Sequence, residues 1–340
     1  MTKNEQLKLI IIERIMSEGR ITFRDFMDMA LYHPDLGYYM TGETRTGKAG
    51  DFVTSPTTSK MFGDFIGRFL KHTWEVLGKG KFTIVEMGAE RGLLVADIKE
   101  YLSEKEPGMF VNTEYFAVEH GDTLPDVDSG CFFSNELVDA FPVHRVQVGR
   151  GGHLKEVYVT YKNGKFNEIL DKPSTPGLEA YLKELEVKVP AGFKTEINLD
   201  AVDWIDRIGG HLKHGSLLTI DYGYESKELY QPYRAQGTLL GYKNHQVVDN
   251  PYTDIGNQDL TSHVNFSALM HWGEKAGFKT TLFTDQSHFL ISQGFEDIAL
   301  SLRAEVKDDA EYYDKYLALK MLVMPEAMGE TFKVLVQEKS

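Results

Sequence analysis

The sequence contains a single cysteine, Cys131, among its 340 residues. One cysteine excludes an intramolecular disulfide and also excludes a zinc site built on several cysteines. The chain also lacks any run of about 18 consecutive apolar residues, the length that a membrane-spanning helix needs. An apolar run near the start ends at Ile12, where Glu13 and Arg14 follow at once. We therefore expect no insertion into a membrane.

Positive charge is scarce, because 37 Lys and Arg stand against 51 Asp and Glu and leave a net charge of −14. A protein that wraps nucleic acid needs the opposite balance, so a nucleic-acid partner is not expected. A basic protein partner is compatible with this charge. No secretory signal is evident, and the lone cysteine suits a reducing compartment, so we expect a cytoplasmic location.

Several motifs of large enzyme classes are missing. No G-x-S-x-G occurs, which disfavours an α/β-hydrolase, and no G-x-x-x-x-G-K-[ST] occurs, which excludes the P-loop enzymes. The dinucleotide pattern G-x-G-x-x-G fails at Glu90 and Leu93, which disfavours a nicotinamide-dependent oxidoreductase. His211 and His214 have no evident third ligand, so no metal site is predicted.

Short apolar strands alternate with helical patterns through most of the chain. The predicted strands are 82–88, 114–119, 131–136, 215–223, 279–284 and 332–337, and the predicted helices are 5–17, 23–31, 58–77, 92–103, 265–276, 295–304 and 309–320. This alternation predicts an α/β fold with a parallel sheet. Residues 143–170, with an Asn163-Gly164 turn, instead predict antiparallel hairpins inserted into that fold.

The turn after the first predicted strand contains candidate ligand-binding residues. It reads Glu86-Met87-Gly88-Ala89-Glu90-Arg91-Gly92, and Glu119 ends the second strand. Glycines let the backbone approach a ligand, and an acid at the second strand end can bind a ribose diol. S-adenosylmethionine contains a ribose, an adenine and a small anionic group that suit these residues. A purely structural role for Gly88 and Gly92 is about equally compatible with the pattern.

Two further segments carry polar residues. Asn135, Glu136 and Asp139 follow the third predicted strand and could hold a cationic nitrogen or accept its proton. Simple helix capping explains them as well, and the residues alone favour capping by about two to one. Thr54 and Ser55 offer two hydroxyl groups before a helix, where capping and ligand contact are compatible.

The chain resembles the MidA-like methyltransferases, whose mitochondrial relatives assist the assembly of respiratory complex I. The resemblance rests on these segments: His33-Pro34 to Gly37-Tyr38-Tyr39, GDFVTSP, VEMGAERG, SNELVDAFPVHR, TIDYGY, GTLLGYKNHQVVDNPYTDIGNQDLTSHVNF and MGETFKVL. It implies a Rossmann-like class I methyltransferase sheet with an N-terminal helical segment and an inserted β-rich subdomain. It also implies S-adenosyl-L-methionine as the cofactor and, as in the mitochondrial members, methylation of a protein arginine.

Residue roles follow from the resemblance by position. It assigns cofactor binding to Thr54, Ser55, Glu86, Gly88, Ala89, Glu90, Arg91, Gly92 and Glu119, and the catalytic motif to Asn135, Glu136 and Asp139. It further implies four parts, which are a helical segment with a cofactor-closing loop (1–78), the first part of the methyltransferase domain (79–142), a substrate-side insertion (143–198) and the remainder (199–340). The expected partner is a protein with a basic acceptor, and a homodimer is one option.

Glu90 departs from the family pattern, because it replaces the middle glycine of a G-P-G-R-G-like turn. A side chain there costs on the order of 1 kcal/mol if the position needs a positive φ. Its charge would also repel the carboxylate of the cofactor. An alternative hypothesis is therefore an assembly or interaction factor that keeps the methyltransferase fold with weakened or lost catalysis.

Overall fold

The computed structural model describes residues 1–41, 55–89, 92–149 and 151–340. The chain forms two compact units. The antiparallel-sheet unit comprises residues 1–52, 138–204 and 224–269, and the mixed-sheet unit comprises residues 53–137, 205–223 and 270–340. The division into four sequence ranges given above stays a prediction.

Helices form most of the scaffold around the strands. They are α1 Lys3–Glu18, α2 Phe23–Tyr32, α3 Ser55–Thr58, α4 Met61–Val76, α5 Leu93–Lys105, α6 Pro107–Phe110, α7 Gly177–Glu184, α8 Leu199–His211, α9 Ser226–Leu229, α10 Phe266–Lys275, α11 Gln286–Ser292, α12 Phe295–Glu305 and α13 Asp309–Met321. Thr22 caps α2, because its side chain accepts a hydrogen bond from the backbone N–H of Asp25. The single helix predicted over 58–77 is wrong in its first turn, since α3 and α4 are separate.

The strands include all six that the α/β pattern predicted. They are β1 Ile21–Thr22, β2 Phe82–Met87, β3 Thr113–Val118, β4 Val127–Asn135, β5 His144–Val148, β6 Leu154–Lys162, β7 Lys165–Asp171, β8 Lys194–Ile197, β9 Leu212–Tyr224, β10 Leu240–Lys243, β11 Gln246–Val248, β12 Asp259–Thr261, β13 Val264–Asn265, β14 Lys279–Asp285 and β15 Phe332–Lys339. The bounds differ from the prediction by a few residues, and β4 ends before Glu136.

The mixed-sheet unit carries the α/β architecture. Its main strand order is β14-β15-β9-β4-β2-β3. The pairs β9–β4, β4–β2 and β2–β3 are parallel, whereas β15 is antiparallel to both β9 and β14. The predicted α/β fold is confirmed, but an all-parallel sheet is not. An apolar run does not determine the direction of a strand, so the antiparallel direction of β15 was not predictable from its sequence.

Apolar side chains of the parallel strands form the core of this unit. Ile84, Cys131, Phe133 and Leu218 are each at most 1% exposed. Burying such side chains stabilises the fold by about 1.5–3 kcal/mol each. The strands are thereby fixed in register, so that Met87 of β2 is opposite Ser134 of β4. Their carboxyl ends, with Gly88 and Asn135, consequently lie at one edge of the sheet.

The antiparallel-sheet unit contains the predicted hairpins. Its larger sheet has the order β1-β6-β5-β8, with β7 paired to β6. Asn163 and Gly164 connect β6 to β7 with φ angles of 53° and 76°, as expected for a two-residue turn of this type. Strand β1 joins this sheet through Ile21 and Thr22, which the sequence pattern did not predict.

Among the described residues, no helix combines the length and the apolar composition that a membrane span needs.

Candidate active site

The turn after β2 has a backbone conformation that favours glycine. Gly88 has a φ of +72°, and a Cβ added there would lie 2.9 Å from Cδ1 of Leu137. Its N–H donates to the carbonyl oxygen of Val118 at 2.8 Å, which ties the end of β2 to the end of β3. Gly92 has a φ of +66° and precedes α5. Glycine is thus required at both positions by the backbone conformation, and at Gly88 also by the nearby side chain.

Glu86 lies under this turn in a nearly closed environment. It is 5% exposed, and its carboxylate accepts a hydrogen bond from the hydroxyl of Tyr115 on β3. Burial raises the pKa of Glu86 to about 7, and the negative charge of Glu119 adds to this increase. The hydrogen bond from Tyr115 acts in the opposite direction. Glu86 therefore binds a proton near neutral pH and is sensitive to any charge placed beside it.

Glu119 follows β3 directly and is exposed. Its backbone N–H donates to the carboxylate of Asp122 at 2.9 Å, which fixes the turn. The hydrogen bond between Gly88 and Val118 places this turn next to the glycine turn of β2. A carboxylate at this position can accept hydrogen bonds from both hydroxyls of a ribose.

Glu136 is the first residue after β4 and has a strained backbone. Its φ is +54°, a conformation that costs a non-glycine residue about 1–2 kcal/mol. Its carboxylate accepts hydrogen bonds from Tyr222 at 2.8 Å, from Nδ2 of Asn135 at 2.9 Å and from the N–H of Ser55 at 3.3 Å. Burial raises the pKa of Glu136 to about 8, although these hydrogen bonds oppose the increase. Strain of this kind is typical of functional sites.

The backbone around Glu136 is anchored to β9 from two sides. The N–H of Glu136 donates to the carbonyl oxygen of Ile220 at 2.9 Å, and the N–H of Leu137 donates to Oδ2 of Asp221 at 3.2 Å. Asp221 is fully buried. These contacts explain how the unfavourable φ is maintained, because the neighbouring strand holds the peptides on either side.

Ser55 is in turn held by α11. Its hydroxyl donates to Oε1 of Gln286 at 3.2 Å, and Nε2 of Gln286 donates to the carbonyl oxygen of Leu322 at 2.9 Å. Both side chains are fully buried. The start of α3 is therefore fixed beside the Glu136 carboxylate.

The residues present fit S-adenosyl-L-methionine. Gly92 precedes α5, whose N-terminal N–H groups favour a carboxylate. Oδ1 of Asn135 is buried and has no hydrogen-bond partner among the described residues. An orphaned acceptor of this kind suits a cationic donor. The N-terminus of α5 suits the carboxylate of the cofactor, and Glu119 suits its ribose. Glu136 and Oδ1 of Asn135 suit a cation.

The predicted site residues divide between the two units. Ser55, Glu86, Gly88, Ala89, Gly92, Glu119, Asn135 and Glu136 belong to the mixed-sheet unit. Asp139 belongs to the antiparallel-sheet unit, where it is 4% exposed and its carbonyl oxygen accepts the N–H of Ser262 at 2.9 Å. Thr54, Glu90 and Arg91 lie outside the described residues. The functional roles of all these residues stay predictions.

Three residues of the site were missed by sequence reasoning as functional candidates. Tyr222, Asp221 and Tyr115 all contact the predicted acids or the peptides beside them. Asp221 and Tyr222 follow an apolar run in the same way as Asn135 and Glu136 do, which was the available signal. Tyr115 gave none, because an aromatic residue inside a strand is ordinary.

Comparison with known proteins identifies relatives along nearly the whole chain. Residues 65–127 and 120–284 match the family model described as "Putative S-adenosyl-L-methionine-dependent methyltransferase". The chain is 28% identical to the mitochondrial protein arginine methyltransferase NDUFAF7 of Bos taurus, over 96% of this chain and 81% of that protein. It is 26% identical to the human protein of the same name, over 95% and 81%.

Solved structures give a consistent result. A "likely methyl transferase" from Burkholderia thailandensis, bound to S-adenosyl-homocysteine, is 27% identical and superposes with a TM-score of 0.87. The match covers 99% of this chain and 92% of that one. These similarities confirm the predicted Rossmann-like methyltransferase fold, the family resemblance and the cofactor.

The predicted cytoplasmic location is wrong by the same comparison. The curated relatives from Bos taurus, Rattus norvegicus and Homo sapiens are all mitochondrial proteins. The expectation rested on the lone cysteine and on the absence of a recognisable signal. A reducing compartment is not confined to the cytoplasm, and the absence of a secretory signal argues only against secretion, so neither property could decide between the compartments.

Proposed function

The chain belongs to this family of S-adenosyl-L-methionine-dependent methyltransferases, and on that premise we propose that it methylates an arginine side chain of a protein. The observation that carries the proposal is the carboxylate of Glu136, held at the end of β4 by Tyr222, Asn135 and Ser55. The mitochondrial relatives bear the name of protein arginine methyltransferases, which supports arginine as the acceptor.

The cofactor, when bound, supplies an electrophilic methyl group on a sulfonium. In this proposal the turn from Gly88 to Gly92 and the start of α5 hold the methionine carboxylate, and Glu119 binds the ribose. Little covalent help is needed for such a transfer, so the chief contribution of the protein is alignment. Proximity of that kind accounts for several kcal/mol of rate enhancement, about 7–11 kcal/mol at best.

Glu136 and Asn135 hold the acceptor in this mechanism. A carboxylate pairs with a guanidinium through two parallel hydrogen bonds, which fixes the plane of the acceptor and the direction of its nitrogen. A guanidinium beside Glu136 also favours the ionised carboxylate and so lowers its pKa from about 8. Binding of the acceptor is therefore coupled to release of the Glu136 proton. We assign Asp139 to the acceptor side as well, on its position three residues further along the chain.

Substitution of Glu136 tests the proposal. Glu136→Gln keeps the shape of the side chain and removes its charge, so cofactor affinity should stay within about twofold while turnover of an arginine peptide falls about 100-fold. Glu104→Gln, on the exposed face of α5, is the matched control and should change neither. Unchanged turnover in the Glu136 variant would contradict the assignment. Light scattering of the same samples would test the predicted homodimer.

A further inference from the structure

Strand β3 forms one end of the mixed sheet. It pairs with β2 in unbroken parallel register, from Phe82 opposite Thr113 to Met87 opposite Val118. Within the described ranges no strand lies on its other side. Alternate backbone N–H and C=O groups of β3 therefore point away from the sheet and can pair with another extended chain.

Strand β3 contains no lysine, no proline and no bulge. Natural edge strands carry lysines, prolines or bulges, whereas β3 reads Thr-Glu-Tyr-Phe-Ala-Val and has a regular register. Phe116 of the strand is 40% exposed, and Phe110 and Val111 before it are 41% and 77% exposed. Phe116 is thus an exposed apolar side chain on the edge strand itself, which favours its cover by another chain.

The exposed charged side chains of β3 and of the turn after it are acidic. Glu114, Glu119 and Asp122 are exposed on β3 and in the turn after it. Lys99 of α5 lies beside the strand, with its Nζ 4.8 Å from the ring centroid of Tyr115.

We propose that the outer edge of β3 binds, as an added strand, an extended protein segment that carries a basic and an apolar residue two positions apart. Backbone hydrogen bonds supply affinity in this mode, and alternate side chains supply specificity. On the face of β3 that carries Glu114 and Phe116, the basic residue of the segment lies beside Glu114 and the apolar residue covers Phe116. A second copy of this chain fits less well, because two acidic strips would then meet. The binding is independent of methyl transfer.

A synthetic peptide of sequence Thr-Arg-Thr-Val-Thr-Thr is the probe, because it presents Arg and Val two positions apart on one face. Its binding should slow amide hydrogen exchange within Thr113–Val118 about tenfold, because these amides become part of a ladder. A peptide of the same sequence with N-methylated backbone keeps the charge but cannot pair, and it should bind at least about tenfold more weakly. Glu136→Gln should bind the peptide as the parent protein does, which separates this surface from catalysis.

A lysine placed on the strand supplies the matched variant. Phe116→Lys should abolish peptide binding without changing cofactor affinity, whereas Leu317→Lys, at a side chain 56% exposed on α13, should leave peptide binding intact. Equal binding of the N-methylated peptide, or protection outside β3, would overturn the proposal. Self-association of the parent protein that Phe116→Lys removes would assign the edge to a second copy and overturn it too.

Discussion

Tyr222 and Glu136 are joined by a hydrogen bond of 2.8 Å from the tyrosine hydroxyl to Oε2 of the carboxylate. Tyr222 lies in β9 and Glu136 directly follows the neighbouring parallel strand β4, and eight backbone residue pairs fix the register of the two strands. The ring of Tyr222 also packs against Phe332, with centroids 4.3 Å apart. The tyrosine is thus held rigidly, and it favours the ionised form of a carboxylate that burial keeps protonated.

Removal of this hydroxyl should shift the pH dependence of the reaction. Tyr222→Phe deletes a hydrogen bond to a charged group, worth about 1.5 kcal/mol, so the pKa of Glu136 should rise by about one unit above its value of about 8. The KM for an arginine peptide in the parent protein should fall as the pH rises to 8, and in the variant this fall should come at higher pH. Steady-state kinetics from pH 6.5 to 9.5 measure how KM depends on pH, and Tyr313→Phe, at an exposed side chain of α13, is the control. Coincident profiles would rule out this role.

Gly88→Ala should separate backbone strain from cofactor contact. The change forces a positive φ on alanine and places its Cβ close to Leu137, so we expect a loss of about 1–2 kcal/mol in stability and about tenfold in cofactor affinity. Gly78→Ala has the same kind of φ, +89°, with open space around the added atom. It should lose similar stability and no affinity. Calorimetric titration with S-adenosyl-L-methionine decides, and equal affinities for the two variants would remove Gly88 from the cofactor site.

Glu86 should make the fold less stable as the pH rises. Its pKa is 4.5 in an unfolded chain and about 7 in the folded protein, so the folded state holds the proton more tightly. This contribution is complete below pH 4.5 and is lost as the pH rises through 7, by up to about 3 kcal/mol. Glu86→Gln should flatten the decline. Urea unfolding at several pH values measures the difference, and an unchanged slope in the variant would mean that Glu86 is ionised in the fold.

Glu90 lies outside the described residues, yet its sequence position gives a sharp expectation. If its charge and side chain oppose the carboxylate of the cofactor, Glu90→Gly should increase cofactor affinity, by about tenfold for a strain and charge effect of about 1.4 kcal/mol. Glu90→Gln removes the charge alone and divides the two causes. Titration calorimetry again provides the measurement. Weaker binding by both variants would show that Glu90 assists cofactor binding, for instance by pairing with the ammonium group of the cofactor.

The sequence predicted the elements of the fold well and their arrangement less well. Apolar strands such as 82–88 and caps such as Thr22 are local, because they depend on residues a few positions apart. The antiparallel direction of β15 and the pairing of β1 with β6 depend on contacts between distant segments. No pattern within either strand contains that information.

The candidate site shows the same limit. Glu86, Gly88 and Glu136 were predictable because each stands at a strand end, where ligands bind in α/β folds. The positive φ of Glu136 was not, because glutamate has no preference for it and distant contacts through Ile220 and Asp221 impose it. The raised pKa of Glu136 likewise comes from burial, which the sequence could not place at this residue.

The fully buried Cys131, in the middle of β4, has a practical consequence for spectroscopy. Burial raises the pKa of its thiol, so the sulfur stays protonated and out of reach of maleimide reagents. A surface cysteine introduced at any chosen position would therefore be the one reactive thiol in the protein. Pairs of such cysteines could carry fluorophores or spin labels without first removing a native residue, and distances between the two units could then be measured in solution.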